Sequence, residues 1–495
     1  MVRIRIFLAF HLIASAFPAS RLAAQSELEL FYGGILSASV RITSPGLGWV
    51  TGSFVGLGSG ISQLSPGAES VRWNPGGLAF LSENQLYSEW LPPFKFNLNR
   101  YMNLEQEANL QLRRQVTKYA RDESSLDLKE FIIQPSILLD GGQGNIAAVV
   151  KTRKFNFGGA VHAPVQILAD LSVSGLKTRA ATQSATGGTT IRFLGLVNGS
   201  LSVSFEMTGL SVAMGKRLGE RWGIGLGFDA FAATLNASAF FRPEALVSSG
   251  ARDFAFNDTT ADHYNNLDVT MGGQLSGEGG RWRIGLGYHP GNSAAIDVAL
   301  FLPATLDFSG KLTYAYNQIL AFNLNADENT PFFDANILLE EGFTGTHPRW
   351  TTLDRVRLTI PGQLALSGAL LSGSFRMGFT LANYYKEFSL GFSYTSAGDS
   401  TATQSSGSWV LALTPQHAFY AVLGVPWLTI RLGALRMISR SEKSTRSQQN
   451  QSEFWLPLLG MTGGFDMPYF KRLRLDYDVS LGLTSLVRFA TTYRF

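Results

Sequence analysis

Along much of this chain bulky apolar residues alternate one for one with small or polar ones, the period of an extended strand with two unlike faces. In the segment 221–230 (RWGIGLGFDA), Ile224, Leu226 and Phe228 share one face, while Gly223, Gly225 and Gly227 leave the other nearly bare. The segment 281–290 (RWRIGLGYHP) is a near-copy, with Ile284, Leu286 and Tyr288 set around Gly285 and Gly287. Strands cut to one template fit a barrel. Counting such segments predicts an all-β fold, a transmembrane antiparallel β-barrel of about fourteen strands. The first strand is placed over residues 84–98 and the last over 485–495. The stretches 165–207 and 241–280 keep the pattern too weakly to be divided into strand and loop. Past the N-terminus no run of about 18 apolar residues occurs, so a membrane would be crossed by a closed barrel.

The links between these segments give the barrel a direction. Tight links fall at Leu218–Arg221, His289–Ser293, Leu371–Ser374, Val425–Trp427 and Tyr469–Arg472. Long polar stretches rich in Ser, Thr, Gly and Asn occupy 177–190, 247–266, 396–408 and 439–453, and are expected to be loops. Short turns at one end and long loops at the other are the periplasmic and extracellular ends of an outer-membrane barrel. Pro303, Pro361 and Pro426 sit near strand starts, edges or links, where a missing N–H does least harm.

Both termini carry export signals. Counting back from Phe495, Tyr493, Thr491, Phe489 and Val487 share a face. A terminal strand of this kind, with Phe489, Tyr493 and Phe495 as its aromatic positions, is the expected assembly signal, and implies barrel-assembly machinery as a partner. At the other end Arg3 and Arg5 precede an apolar run from Ile6 to Phe17, which reads as a cleavable signal peptide over residues 1–24. The leader contains Arg21 as well and no acidic residue, so its removal lowers the formal net charge from +4 to about +1. No basic cluster interleaved with stacking aromatics occurs, and nucleic acid is not an expected partner.

Composition agrees with a barrel. Charged residues make up 16% of the 495, well below the roughly 25% of ordinary soluble domains, while 52 are Gly and 35 are Phe. There is no Cys, which removes disulfides, thiol catalysis, Cys-ligated zinc and a lipidated N-terminal Cys.

Catalytic chemistry finds little support. The five histidines after the leader, His162, His263, His289, His347 and His417, include no i, i+4 pair, and neither HExxH nor GxSxG occurs. Glu340-Glu341 lie in loop-like sequence. The glycines at 56, 58 and 60 have no βαβ context, and no GxxxxGK[ST] run is present. The chain is therefore read as not an enzyme, with no metal and no cofactor. Residues 102–121 break the β pattern: Leu104, Ala108, Leu112, Val116 and Tyr119 fall near one side at helical spacing. The spacing predicts a helix in the extracellular loop between the first two strands, its stripe packed on the barrel rim.

Residues 56–80, GLGSGISQLSPGAESVRWNPGGLAF, carry a specific resemblance. The passage Trp73-Asn74-Pro75-Gly76-Gly77-Leu78 resembles the Asn-Pro-Ala-Gly-Leu motif of the FadL/TodX-like outer-membrane transport family and its PorV-like relatives, with Gly76 in place of the usual Ala. FGGAVHAP (157–164), 210–231, 282–290, 356–385 and the last strand are similar in pattern and order. The resemblance implies an N-terminal hatch or plug (25–82) inside a barrel (83–495), and a monomer in the bacterial outer membrane among lipid and lipopolysaccharide. It implies passive uptake of a hydrophobic small molecule, a long-chain fatty acid or hydrocarbon, and makes the helix of Leu104 to Tyr119 a candidate ligand-entry site. The alternative implied by the PorV-like branch is a protein-binding component of secretion or surface attachment. An apolar lumen favours the first, and a wide polar lumen with partner-docked loops the second.

Overall fold

The computed structural model describes residues 35–42, 67–91, 94–97, 110, 132–139, 142–183, 190–249, 252–256, 264–265, 269–291, 293–319, 346–398, 405–425, 427–443, 446–467, 472–481 and 486–495. An N-terminal strand, β1 (Ile35–Ile42), precedes two 3-10 turns, Ala68–Val71 and Pro75–Phe80. The barrel follows. Its strands are β2 (Gln85–Leu91 with Phe94–Asn97), β3 (Ile132–Leu139 with Gly142–Val150), β4 (Asn156–Gln183), β5 (Thr190–Leu218), β6 (Trp222–Ser249) and β7 (Val269–Tyr288). Next come β8 (Ala294–Phe301 with Ala304–Ile319), β9 (Thr346–Ile360 with Gly362–Ser372), β10 (Phe375–Tyr385 with Ser389–Gly398) and β11 (Ser405–Val425). The last are β12 (Leu428–Lys443), β13 (Arg446–Asp466), β14 (Leu473–Leu481) and β15 (Leu486–Arg494).

Each of these fourteen strands pairs antiparallel with its neighbour, and β15 closes the ring on β2, with Gln85 opposite Arg494 and Leu86 opposite Tyr493. Closure leaves no edge, as lipid demands of a spanning sheet. The terminal Phe495 N–H donates to the Asn84 carbonyl at 3.1 Å, Trp90 stacks on Phe489 at 4.8 Å, and Tyr493 stacks on Phe495 at 6.1 Å. The aromatics of the last strand thus sit at the seam.

The bulky face of the alternating pattern points outward. Val212, Leu226, Ile284, Leu366, Phe379, Leu423, Leu432 and Met461 are exposed and form an apolar band around the outside. Trp222, Trp427 and Phe465 ring its short-turn end, the girdle expected where a barrel meets a membrane interface. The tight links Leu218–Arg221 and Leu371–Ser374 fall where the sequence places them, while Asn292, Pro426 and 468–471, in the other three, lie outside the described residues. Gly219 (φ +67°) and Gly373 (φ +60°) supply the left-handed residue that two of these turns need.

The polar stretches differ from the loop expectation. β4 and β5 run 28 and 29 residues, and strand pairing continues through 177–183, 439–443 and 446–453. Beyond the apolar band both faces meet water, so alternation fades while backbone pairing still extends the strands. In the weakly patterned 165–207, residues 165–183 of β4 accordingly pair antiparallel with 190–207 of β5. The described part of 241–280 resolves into the end of β6, the short strands Arg252–Phe256 and Tyr264–Asn265, and β7.

The N-terminal segment enters the wall as well as the lumen. β1 pairs parallel with β3, Ile35 opposite Ile132, and antiparallel with β4, Ile42 opposite Ile167. Nearer the short-turn end β3 and β4 pair directly, from Asn145–His162 to Val150–Phe157. Above that zipper β1 lies between them as a wedge.

Candidate functional site

The plug and the glycine-faced strands are built for each other. Asn74 caps the turn Pro75–Phe80: its Oδ1 accepts from the Gly76 N–H at 2.9 Å, and Pro75 stands at the first position, where no N–H is needed. The Asn74 amide then donates to the Leu286 carbonyl at 3.2 Å and to Asp297 Oδ1 at 3.0 Å. The near-copy segments are antiparallel neighbours on β6 and β7, with Gly225 opposite Gly285 and, on the other side, Gly215 opposite Gly225. This row of three glycines is the seat of the plug. A Cβ at Gly225 would lie 2.1 Å from the carbonyl carbon of Pro75, and one at Gly285 would lie 1.9 Å from Asn74 Oδ1. The bare face of the sequence pattern is thus the surface that receives the Asn-Pro-Gly-Gly-Leu passage. Asn156 donates to the Leu78 carbonyl at 2.6 Å, Phe80 stacks on His289 at 3.8 Å, and Leu78 and Val71 are fully buried.

Beside this seat a buried polar network ties the plug to the wall. Asp229 forms an ion pair with Arg283 Nη2 at 2.8 Å and accepts hydrogen bonds from Arg281 Nε at 3.0 Å and Ser211 Oγ at 2.6 Å. Arg283 also donates to the Val71 carbonyl. Arg72, on the plug, donates to Asn145 at 3.1 Å, and Asn145 in turn donates to Glu89. Burial brings the Arg72 guanidinium down to about 10, so it stays charged at neutral pH. Three guanidiniums thus share the network with two carboxylates. Such pairing is what permits charges inside a protein.

His162, Ser211 and Asp229 are adjacent but not arranged for acyl transfer. His162 Nε2 lies 3.0 Å from Ser211 Oγ, and Ser211 donates to Asp229, so the hydroxyl stands between imidazole and carboxylate. In a nucleophilic triad the imidazole occupies that middle place and accepts the hydroxyl proton. Here the proton is committed to Asp229, and His162 Nε2 must act as the donor.

Toward the long-loop end the lumen turns apolar. Arg281 marks the boundary, its guanidinium 5.5 Å from the Phe231 ring and 5.0 Å from that of Phe301. Met207, Leu275, Leu306, Phe308, Leu358 and Met437 join these rings in one cluster, with Phe205, Leu235 and Phe392 packed against it. A water-filled pore would present polar side chains inward. Among the described residues no group of three or more His, Asp or Glu is placed to hold a metal ion.

Of the residues singled out in the sequence, Trp73 to Leu78 form the seated turn, and Trp73 packs near Phe301 at 6.0 Å. Phe489, Tyr493 and Phe495 close the barrel seam. Leu104, Ala108, Leu112, Val116 and Tyr119 lie outside the described residues, as do residues 1–34. The charged network matches no sequence motif. Its trace is Arg281-Trp282-Arg283, where an outward Trp forces both arginines inward.

Fold and site together define a plugged fourteen-stranded transmembrane β-barrel. No protein-family profile and no curated protein matches this chain. Among solved structures it is similar over most of its length to a Pseudomonas aeruginosa FadL homologue, at 13% identity, a TM-score of 0.43, and coverage of 92% of this chain and 98% of that one. It is also similar to the Ralstonia pickettii toluene transporter TbuX (12% identity, TM-score 0.40) and the P. putida toluene transporter TodX (12%, 0.42). Each of these two alignments covers 87% of this chain and 94% of the other.

Proposed function

We propose that this protein is an outer-membrane channel for the passive uptake of hydrophobic small molecules, long-chain fatty acids or hydrocarbons, through a plugged lumen. The observation that carries the reading is the apolar side-chain lining of the lumen above a polar, plug-sealed floor. Such a lining lowers the free energy of an apolar solute by about 25 cal/mol for each Å² removed from water. It has no corresponding use in a pore for ions or sugars. The long-loop end then faces outward, with the helix of Leu104, Ala108, Leu112, Val116 and Tyr119 as the landing site, and residues 1–24 serve as the leader. Solute moves down its own gradient, and the floor of three guanidiniums against two carboxylates suits a solute with an acid group. Where β3 and β4 part, β1 fills the wall, and its withdrawal would let a solute leave sideways into the bilayer.

The test is uptake in cells that lack a fatty-acid channel of their own. Expression of this protein should raise accumulation of labelled oleate several-fold while leaving a neutral disaccharide unchanged. Equal uptake of both, or of neither, would count against the proposal.

A further inference from the structure

The wall breaks at one height on four adjacent strands, on a side of the barrel distinct from the β1 wedge. Leu302-Pro303 interrupt β8 and Pro361 interrupts β9 at the same level, since Phe301 stands opposite Gln363 and Ala304 opposite Ile360. In β10 and β11 the next paired positions are Asn383–His417 and Ser389–Ala412, so five residues of β10 face four of β11. β11 also bulges at Gln416, between Pro415 and His417. Prolines explain the first two breaks, because neither can donate to the ladder. At the third, Lys386 has φ +59°, the one non-glycine residue in the left-handed region among the described residues. Strain of this kind persists only where the surroundings hold it, and it collects at ligand sites.

A cavity of about 770 Å³ opens at this fault, lined by Arg357, Tyr384, Lys386, Glu387, Gln416 and Arg440 among others. On the same strands Leu364, Leu381 and Phe419 are exposed on the short-turn side, whereas Asp307, Arg355 and Arg357 are exposed beyond the fault. The cavity therefore sits where the outward face changes from apolar to charged, the level of lipid headgroups. Arg355 and Arg357 share Asp307 at 3.2 and 2.7 Å, and Arg440 holds both oxygens of Glu387 at 2.8 and 2.9 Å. Lys386 makes no ion pair among the described residues. Among the described residues, four cations here meet two carboxylates.

We propose that this cavity is a headgroup site for an anionic acyl-chain amphiphile. Lys386 would hold its phosphate or carboxylate beside Arg357 and Arg440, with the chain running down over Leu381 and Phe419. The proposal rests on the membrane level of the apolar band and is independent of what the lumen carries.

The test uses the full chain in a neutral maltoside detergent and a dodecyl phosphate bearing a diazirine, with labelled peptides mapped by mass spectrometry. Label should concentrate in 384–389 and 436–440. Lys386→Gly keeps the left-handed backbone and removes the ammonium, and should cut the label about tenfold, the loss of one charge-assisted contact. Lys386→Arg should retain most of it. Competition by lipid A but not by oleate would identify a lipid phosphate as the natural occupant, and the reverse a fatty-acid carboxylate. Equal labelling by the dodecanol analogue, or undiminished labelling of Lys386→Gly, would overturn the proposal. Should the glycine variant not fold, the wild-type comparison of phosphate with alcohol decides alone.

Discussion

The amide of Asn74 and the carboxylate of Asp297, 223 residues apart in sequence, meet in a buried hydrogen bond of 3.0 Å. The bond fastens the turn of the plug to the inner face of β8. The same side chain also caps that turn, so one residue both shapes the plug and docks it.

Asn74→Ala should accordingly release the plug without unfolding the barrel. The cap contributes about 1 kcal/mol, and an abandoned buried carboxylate costs about 1–3 kcal/mol more. Hydrogen exchange across 67–80 should speed up by two orders of magnitude or so, while β6 and β7 remain protected. Uniform loss of protection would mean that Asn74 supports the barrel itself.

The glycine seat predicts a sharp positional contrast. Gly225→Ala places a methyl group against the Pro75 backbone, which cannot give as a flexible side chain would. A Cβ at Gly272 meets nothing within 4 Å, so Gly272→Ala should be silent. Planar-bilayer conductance should rise for the first and match wild type for the second. Equal behaviour of the two would show that the row of glycines is not the plug's seat.

Glu69 makes plug docking depend on pH. Burial raises its carboxyl from the ordinary 4.5 to about 8. Between those values the docked plug binds more protons than a released one, so docking weakens as pH rises through that window and levels off above it. Exchange at 67–80 measured from pH 5 to 9, corrected for intrinsic rates, should show this weakening in wild type and lose it in Glu69→Gln. A wild-type plug that tightened toward pH 8 would refute the sign.

The β1 wedge can be pinned without interference, because the chain has no native Cys. Ser37 lies opposite Ser172 in the antiparallel ladder. A Ser37→Cys, Ser172→Cys pair should cross-link on oxidation and lower oleate uptake, with recovery on reduction. Uptake unaffected by a complete cross-link would remove the sideways exit.

Much of this architecture is legible in the sequence, and the reason is environmental contrast. Where lipid lies outside and plug or lumen inside, Ile224, Leu226 and Phe228 alternate with glycines, and the strands declare themselves. Beyond the apolar band the contrast ends, and 177–183 or 439–453 read as loop though largely paired as strand. The charged network is scattered over Arg72, Glu89, Asp229, Arg281 and Arg283, and only folding brings these together. β1 resists reading for another reason: its pairing with β3 and β4 is a long-range choice that ILSASVRI does not encode locally. The Asn-Pro-Gly-Gly-Leu turn was readable as a turn, but its docking partners were not.

A lumen that holds apolar small molecules should still hold them after purification in detergent, where native mass spectrometry can weigh them. Apolar small molecules should be retained and be displaced by added long-chain fatty acid. Retention should be about tenfold weaker in Leu358→Asn, where a buried amide enters the apolar lining. A reproducible absence of small ligand, with a stably bound protein partner instead, would contradict it and favour the protein-binding role.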